Sequence, residues 1–168
     1  MSQYSHIPEA SLLVRDARGR YHPATADQIL AAARQVIDQK MQRGADFGSP
    51  ADVKAYLHTK LAGLDHEVFT VLFLDNRHRL IEYVEMFRGT IDGASVHPRE
   101  VVKEALRLNA AAVILAHPHP SGNPEPSVAD KAITSRLRDA LALIEVRTLD
   151  HIVVAGNDTV SFAERGLL

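Results

Sequence analysis

The chain has 168 residues, of which 46% are hydrophobic and 24% charged; that composition sets one globular core and excludes a globally disordered polymer. Lys and Arg total 19 against 21 Asp and Glu, a net charge of −2, so the basic excess of a DNA-coating protein is missing. There is no cysteine, which excludes disulfides, thiolate zinc sites, iron–sulfur clusters and a cysteine nucleophile, and leaves nitrogen and oxygen as the only metal donors.

The first residues, MSQYSHIPEASLLVRDARGR, lack the basic start and apolar stretch of a signal peptide. No apolar run approaches the roughly 18 residues of a membrane helix. The expectation is a soluble, cytoplasmic protein.

Residues 1–23 are weakly patterned, with an apolar run at Ala10–Val14 and a turn at Asp16-Ala17-Arg18-Gly19. Thr25 with Gln28 three residues on reads as a capping box. Ile29, Leu30, Ala33, Val36, Ile37 and Met41 then recur at helical spacing. Asp46-Phe47-Gly48 reads as a linker, dividing an arm with one helix (1–48) from a core domain (49–168). Ser49-Pro50 restarts a helix with an N-cap and an N1 proline, running to about Leu61. Val68–Leu74 and Leu80–Phe87 form a hairpin around the turn Asp75-Asn76-Arg77-His78. Gly89–Ser95 is loop or short strand, and Pro98–Leu108 a helix. Ala110–Ala116 is a short apolar strand of the kind buried on both faces of a sheet. His117–Pro126 reads as a loop, Ser127–Ala142 as a helix, Ile144–Val154 and Thr159–Phe162 as strands. The mixture predicts an α/β (α+β) sandwich, a mixed central sheet flanked by helices.

The informative stretch runs from Ala116 to Asp130. His117 and His119, at i and i+2 on extended backbone, project to one side at the end of a buried strand. Asp130 follows in the first turn of the next helix. Two imidazoles and a carboxylate make a catalytic zinc site whose fourth position holds water. Such a site needs a carboxylate near the metal, but not bound to it, to take the water's proton. Glu67, at the head of the first strong strand, is the candidate, with Glu100 as runner-up. Ser127-x-x-Asp130 is also a plain capping box, and the two roles are compatible. His97 suits either the cleft or a helix start. His151 reads as a buried, hydrogen-bonded histidine rather than a ligand.

The spacing His-x-His, seven residues, Ser, two residues, Asp resembles the JAMM motif of the JAB/MPN metalloprotease superfamily. Phe87-Arg88-Gly89-Thr90, Val96-His97-Pro98-Arg99-Glu100, Ala116–Pro126 and Leu149-Asp150-His151-Ile152-Val153 resemble its RadC branch, over roughly Ser49 to Leu168. The resemblance implies a cytidine-deaminase-like JAB/MPN sandwich and a zinc ion on His117, His119 and Asp130. It implies that Glu67 is the acid/base residue and that Ser127 donates a hydrogen bond to the oxyanion. It implies hydrolysis of a peptide or isopeptide bond in a protein or peptide substrate. Pro118 departs from the family's usual Asn between the histidines, and residues 1–48 show no Gly-rich helix-hairpin-helix. The competing expectations are a DNA-repair accessory protein that binds DNA, which the charge balance disfavours, and a metal-bearing scaffold without catalysis. The sequence leaves the oligomeric state open.

Overall fold

The structure is a computed structural model and describes residues 12–40, 42–47, 49–89 and 95–168. Ala10, Met41, Gly48 and most of the expected loop Gly89–Ser95 lie outside the described residues.

The N-terminal region opens with a small hairpin, β1 (Leu13–Arg15) and β2 (Tyr21–Pro23). Its turn is fixed by Asp16, whose Oδ1 accepts from the backbone of Arg18 and Arg20 at 2.9 Å each. Gly19 supplies the φ of +81° that the turn needs. Sequence reading finds the turn but not the strands, because two strands of three residues, all exposed but a half-buried Val14, are too short to show a period. α1 (Ala26–Lys40) begins with the expected reciprocal cap between Thr25 and Gln28.

The main sheet has the order β4-β3-β5-β6-β7. β3 (Val68–Leu74) lies between β4 (Leu80–Arg88) and β5 (Ala112–Pro118), antiparallel to both. β6 (Arg147–Ala155) runs parallel to β5, and β7 (Asp158–Ser161) returns antiparallel to β6. The sheet is mixed, as the α/β reading expects. α2 (Pro50–Leu61) covers one face, and α3 (Pro98–Leu108) and α4 (Val128–Ala142) cover the other. Every residue of β3 and β5 is buried, which explains their unbroken apolar runs.

Two boundaries differ from the sequence reading. β5 continues through Pro118, so His117 stands on a strand rather than in the loop expected from His117 onward. His119 N donates to Val154 O at 2.7 Å, which turns the Pro118 nitrogen away from β6. On the other side the β3–β5 register ends at Thr70–Ala116, so the missing N–H removes no rung. β6 starts at Arg147, not Ile144. The backbone N–H groups of Ile144 and Val146 both bond Leu141 O, and Glu145 has φ +59°; two apolar residues closing a helix end imitate strand alternation. The expected linker at Asp46-Phe47 is tied down: Asp46 bridges Arg79, and the Phe47 ring lies 5.7 Å from that of Tyr56.

Phe73, fully buried on the α3–α4 face, is expected to lose about 3–5 kcal/mol on replacement by alanine. Leu106, exposed on α3, is expected to change stability by no more than about 0.5 kcal/mol. Urea unfolding of the two variants checks the contrast. No helix among the described residues is long and apolar enough to cross a membrane.

Candidate metal centre

β5 carries His117, and His119 follows one residue beyond the strand, so both rings point to the α4 face. Their Nε2 atoms are 3.0 Å apart. α4 is aimed at them by its cap. Ser127 Oγ accepts from Asp130 N at 3.0 Å while Asp130 Oδ2 accepts from Ser127 N at 2.7 Å. The capping box expected from sequence is therefore formed, and it locks the Asp130 side chain. Asp130 Oδ1 lies 3.1 Å from His117 Nε2, and Oδ2 lies 3.4 Å from His119 Nε2.

The loop between the histidines and the helix sets the second ring. Gly122 turns at φ +76°, its N–H bonded to His119 O. Asn123 O then faces His119 Nδ1 at 2.7 Å. A carbonyl only accepts, so Nδ1 carries the hydrogen, and a neutral His119 turns the lone pair of Nε2 into the cleft.

The donor set fits a divalent ion. The two imidazole nitrogens are 3.0 Å apart, each has one Asp130 oxygen at 3.1 or 3.4 Å, and one donor atom from each residue lies within 4.8 Å of the others. Bonds of 2.0–2.1 Å at tetrahedral angles put ligand atoms about 3.3 Å apart. Without a cation between them, protons must satisfy these atoms. The hydrogen bond to Asp130 is the main influence raising the pKa of His119, with the charges of Asp130 and Glu67 adding to it against partial burial. Burial opposes ionisation of Asp130, yet the hydrogen bonds and charge of the two histidines, with Ser127, hold it far below the usual carboxylate range.

Glu67 precedes β3, and its carbonyl accepts from Gly89 N at 2.9 Å. Extending the Thr70–Ala116 register outward sets Glu67 across from His119. His117, His119, Asp130, Glu67 and Ser127 all line one cleft of about 360 Å³, whose walls are Val68, Phe69, Val96, Ala129 and Ile133, with Arg136. Glu100 is elsewhere, ion-paired to Lys103 at 2.9 Å on the surface. His97 starts α3 without a side-chain cap, its ring edge-on to Phe87. His151 is buried, as expected, and packs directly behind His117. Sequence reading misses Phe69, whose ring stacks on His117, and Arg136; an apolar strand residue and a surface arginine give no local signal.

The family description RadC-like JAB domain matches residues 47–167. The chain belongs to this family. The fold agrees with a JAB domain, and the wider superfamily includes metalloproteases. A UPF0758 protein of Vibrio cholerae is 60% identical over 141 residues, 84% of this chain and 89% of the relative. A UPF0758 protein of Xanthomonas axonopodis pv. citri is 49% identical over 173 aligned positions, 98% of this chain and 77% of the relative. A third, from Thioalkalivibrio sulfidiphilus, is 58% identical over 145 residues, 86% of this chain and 65% of the relative. The chain thus spans about two thirds of that longer relative.

Proposed function

We propose that the chain is a zinc-dependent hydrolase of JAMM type that cleaves a peptide or isopeptide bond. The observation that carries this reading is the meeting of three electron-pair donors with Glu67 and Ser127 in one cleft. His117 and His119 would hold the metal through Nε2, and Asp130 through its carboxylate. When bound, zinc supplies Lewis acidity and a water of lowered pKa.

The chain's own residues supply the rest. Glu67 takes a proton from the attacking water and delivers it to the leaving nitrogen. Ser127 Oγ accepts from Asp130 N, leaving its hydrogen to donate to the oxygen that becomes negative on the attacked carbonyl carbon. Val68, Phe69, Val96 and Ile133 give the cleft apolar walls that exclude bulk water and strengthen those hydrogen bonds. DNA binding draws no support from a charge balance of −2.

Zinc-loaded protein is to be assayed against linear peptides and lysine-linked isopeptides. Turnover by wild type, lost in Glu67→Gln, supports the reading. A zinc-loaded wild type that cleaves neither class overturns it.

The pH dependence has a definite sign. His119 has its pKa raised above the ordinary 6.5. In metal-free protein its contribution to stability is therefore full below that ordinary value and is lost as pH rises through the folded value. Metal requires the ring deprotonated, so its stabilisation runs the other way. The gain in Tm on adding zinc is expected to widen from about pH 5.5 to about pH 7.5. A gain that is flat or shrinks over that span contradicts the assignment of His119 as a ligand.

A further inference from the structure

Behind His117 lies a chain of polar contacts that the proposed hydrolysis does not use. Thr134 Oγ1 is 2.5 Å from Asp130 O and 2.6 Å from His151 Nδ1. His151 Nε2 is 2.8 Å from His117 Nδ1. His151 and Thr134 are both almost wholly excluded from solvent.

Only one arrangement of hydrogens satisfies these three contacts around a neutral His151. The Asp130 carbonyl only accepts, so the single hydroxyl hydrogen of Thr134 points to it. Thr134 Oγ1 must then accept from His151 Nδ1–H. A fully buried imidazole packed against Phe162 at 4.7 Å and Phe69 at 5.5 Å is neutral, since an apolar surround penalises charge. Its Nε2 is therefore a bare acceptor, and His117 Nδ1 must donate to it. The lone pair of a neutral His117 is left on Nε2, facing His119 and Asp130.

The backbone is shaped to put His151 there. In the β5–β6 register Val113 pairs with Thr148, but Ile114 pairs with Asp150, so Leu149 is an extra residue. That bulge changes the side-chain phase and turns His151 onto the α4 face, opposite Leu115. Asp150 secures the irregular stretch. Its carboxylate accepts from His151 N at 2.7 Å, Ala163 N at 2.9 Å and Ser161 Oγ at 2.6 Å.

We infer that His151, anchored by Thr134, is a positioning residue that fixes the hydrogen of His117 on Nδ1 and so presents Nε2 to the metal. Because Thr134 is tied to the Asp130 backbone, the relay also couples two of the three proposed ligands. The metal half of the inference rests on the zinc reading above; the location of the hydrogen does not.

Long-range proton–nitrogen NMR of metal-free wild type reads the hydrogen directly. The expected result is a protonated Nδ1 on His117. A bare, pyridine-type Nδ1 overturns the inference whether or not zinc binds. Zinc affinity, measured by competition with a chelator, is the second readout. Thr134→Val and His151→Phe are expected to bind about 10–100-fold more weakly. Thr134→Ser keeps the hydroxyl and is expected to stay within about threefold of wild type. If His151→Phe fails to fold, the Thr134 pair still decides: Val and Ser variants of equal affinity overturn the inference. A wild type that binds no zinc refutes the hydrolase reading alone, leaving the NMR result to judge the relay.

Discussion

Replacing Asp130 by alanine is expected to abolish zinc retention and to weaken the fold at the same time. The carboxylate stands 3.1 and 3.4 Å from the Nε2 atoms of His117 and His119 and also closes the cap of α4 through Ser127 N. Its removal leaves two imidazoles, and metal content after dialysis should fall from about one equivalent to a trace. Loss of the Asp130 half of the reciprocal cap, with the backbone bond to Ser127 Oγ kept, should cost about 1 kcal/mol in urea unfolding of metal-free protein. Asp130→Asn separates the effects: the amide oxygen still accepts from Ser127 N, so the cap survives while the charge is lost. Asp130 has a depressed pKa, so its ionic contribution is present above the ordinary 3.8 and is lost as pH falls through the folded value. The stability gap between wild type and Asp130→Asn should therefore close on strong acidification. An Asp130→Ala protein that keeps a full equivalent of zinc would falsify the ligand assignment.

The largest effect on turnover at unchanged metal content is expected at Glu67. Gln preserves the size of the side chain but cannot take a proton, so kcat should drop about 10²–10⁴-fold. Metal content should stay at the wild-type level, because Glu67 is outside the proposed ligand set. The decisive comparison is the pair of measurements on one preparation. Lost zinc would make Glu67 a ligand, and unchanged kcat would remove it from the chemistry.

The clustering of His117, His119 and Asp130 was legible because all three residues lie within 14 positions and much of their geometry is local. A strand end shows alternate residues on one side, and a capping box places the third position of a helix. Both rules need no tertiary knowledge, while the 3.0 Å approach of the two Nε2 atoms also needs the Gly122 turn that sets the His119 ring. Glu67 was legible only in part. Its place in the cleft depends on β3 pairing antiparallel to β5 with Thr70 opposite Ala116, a register set by packing across both faces. His151 was readable as buried but not as the partner of His117. An extra residue at Leu149 reverses its face, and no periodicity rule announces a bulge. The strand expected from Ile144 failed for the opposite reason: a left-handed Glu145 breaks an alternation that looks regular in one dimension.

The central claim is that His117, His119 and Asp130 share one ion, and anomalous scattering tests it most directly. Crystals of zinc-loaded protein, measured at the zinc absorption edge, should show a single strong peak within about 2.3 Å of His117 Nε2, His119 Nε2 and an Asp130 oxygen. Zinc found elsewhere, with the two rings and the carboxylate still bonded only to one another, would contradict the account.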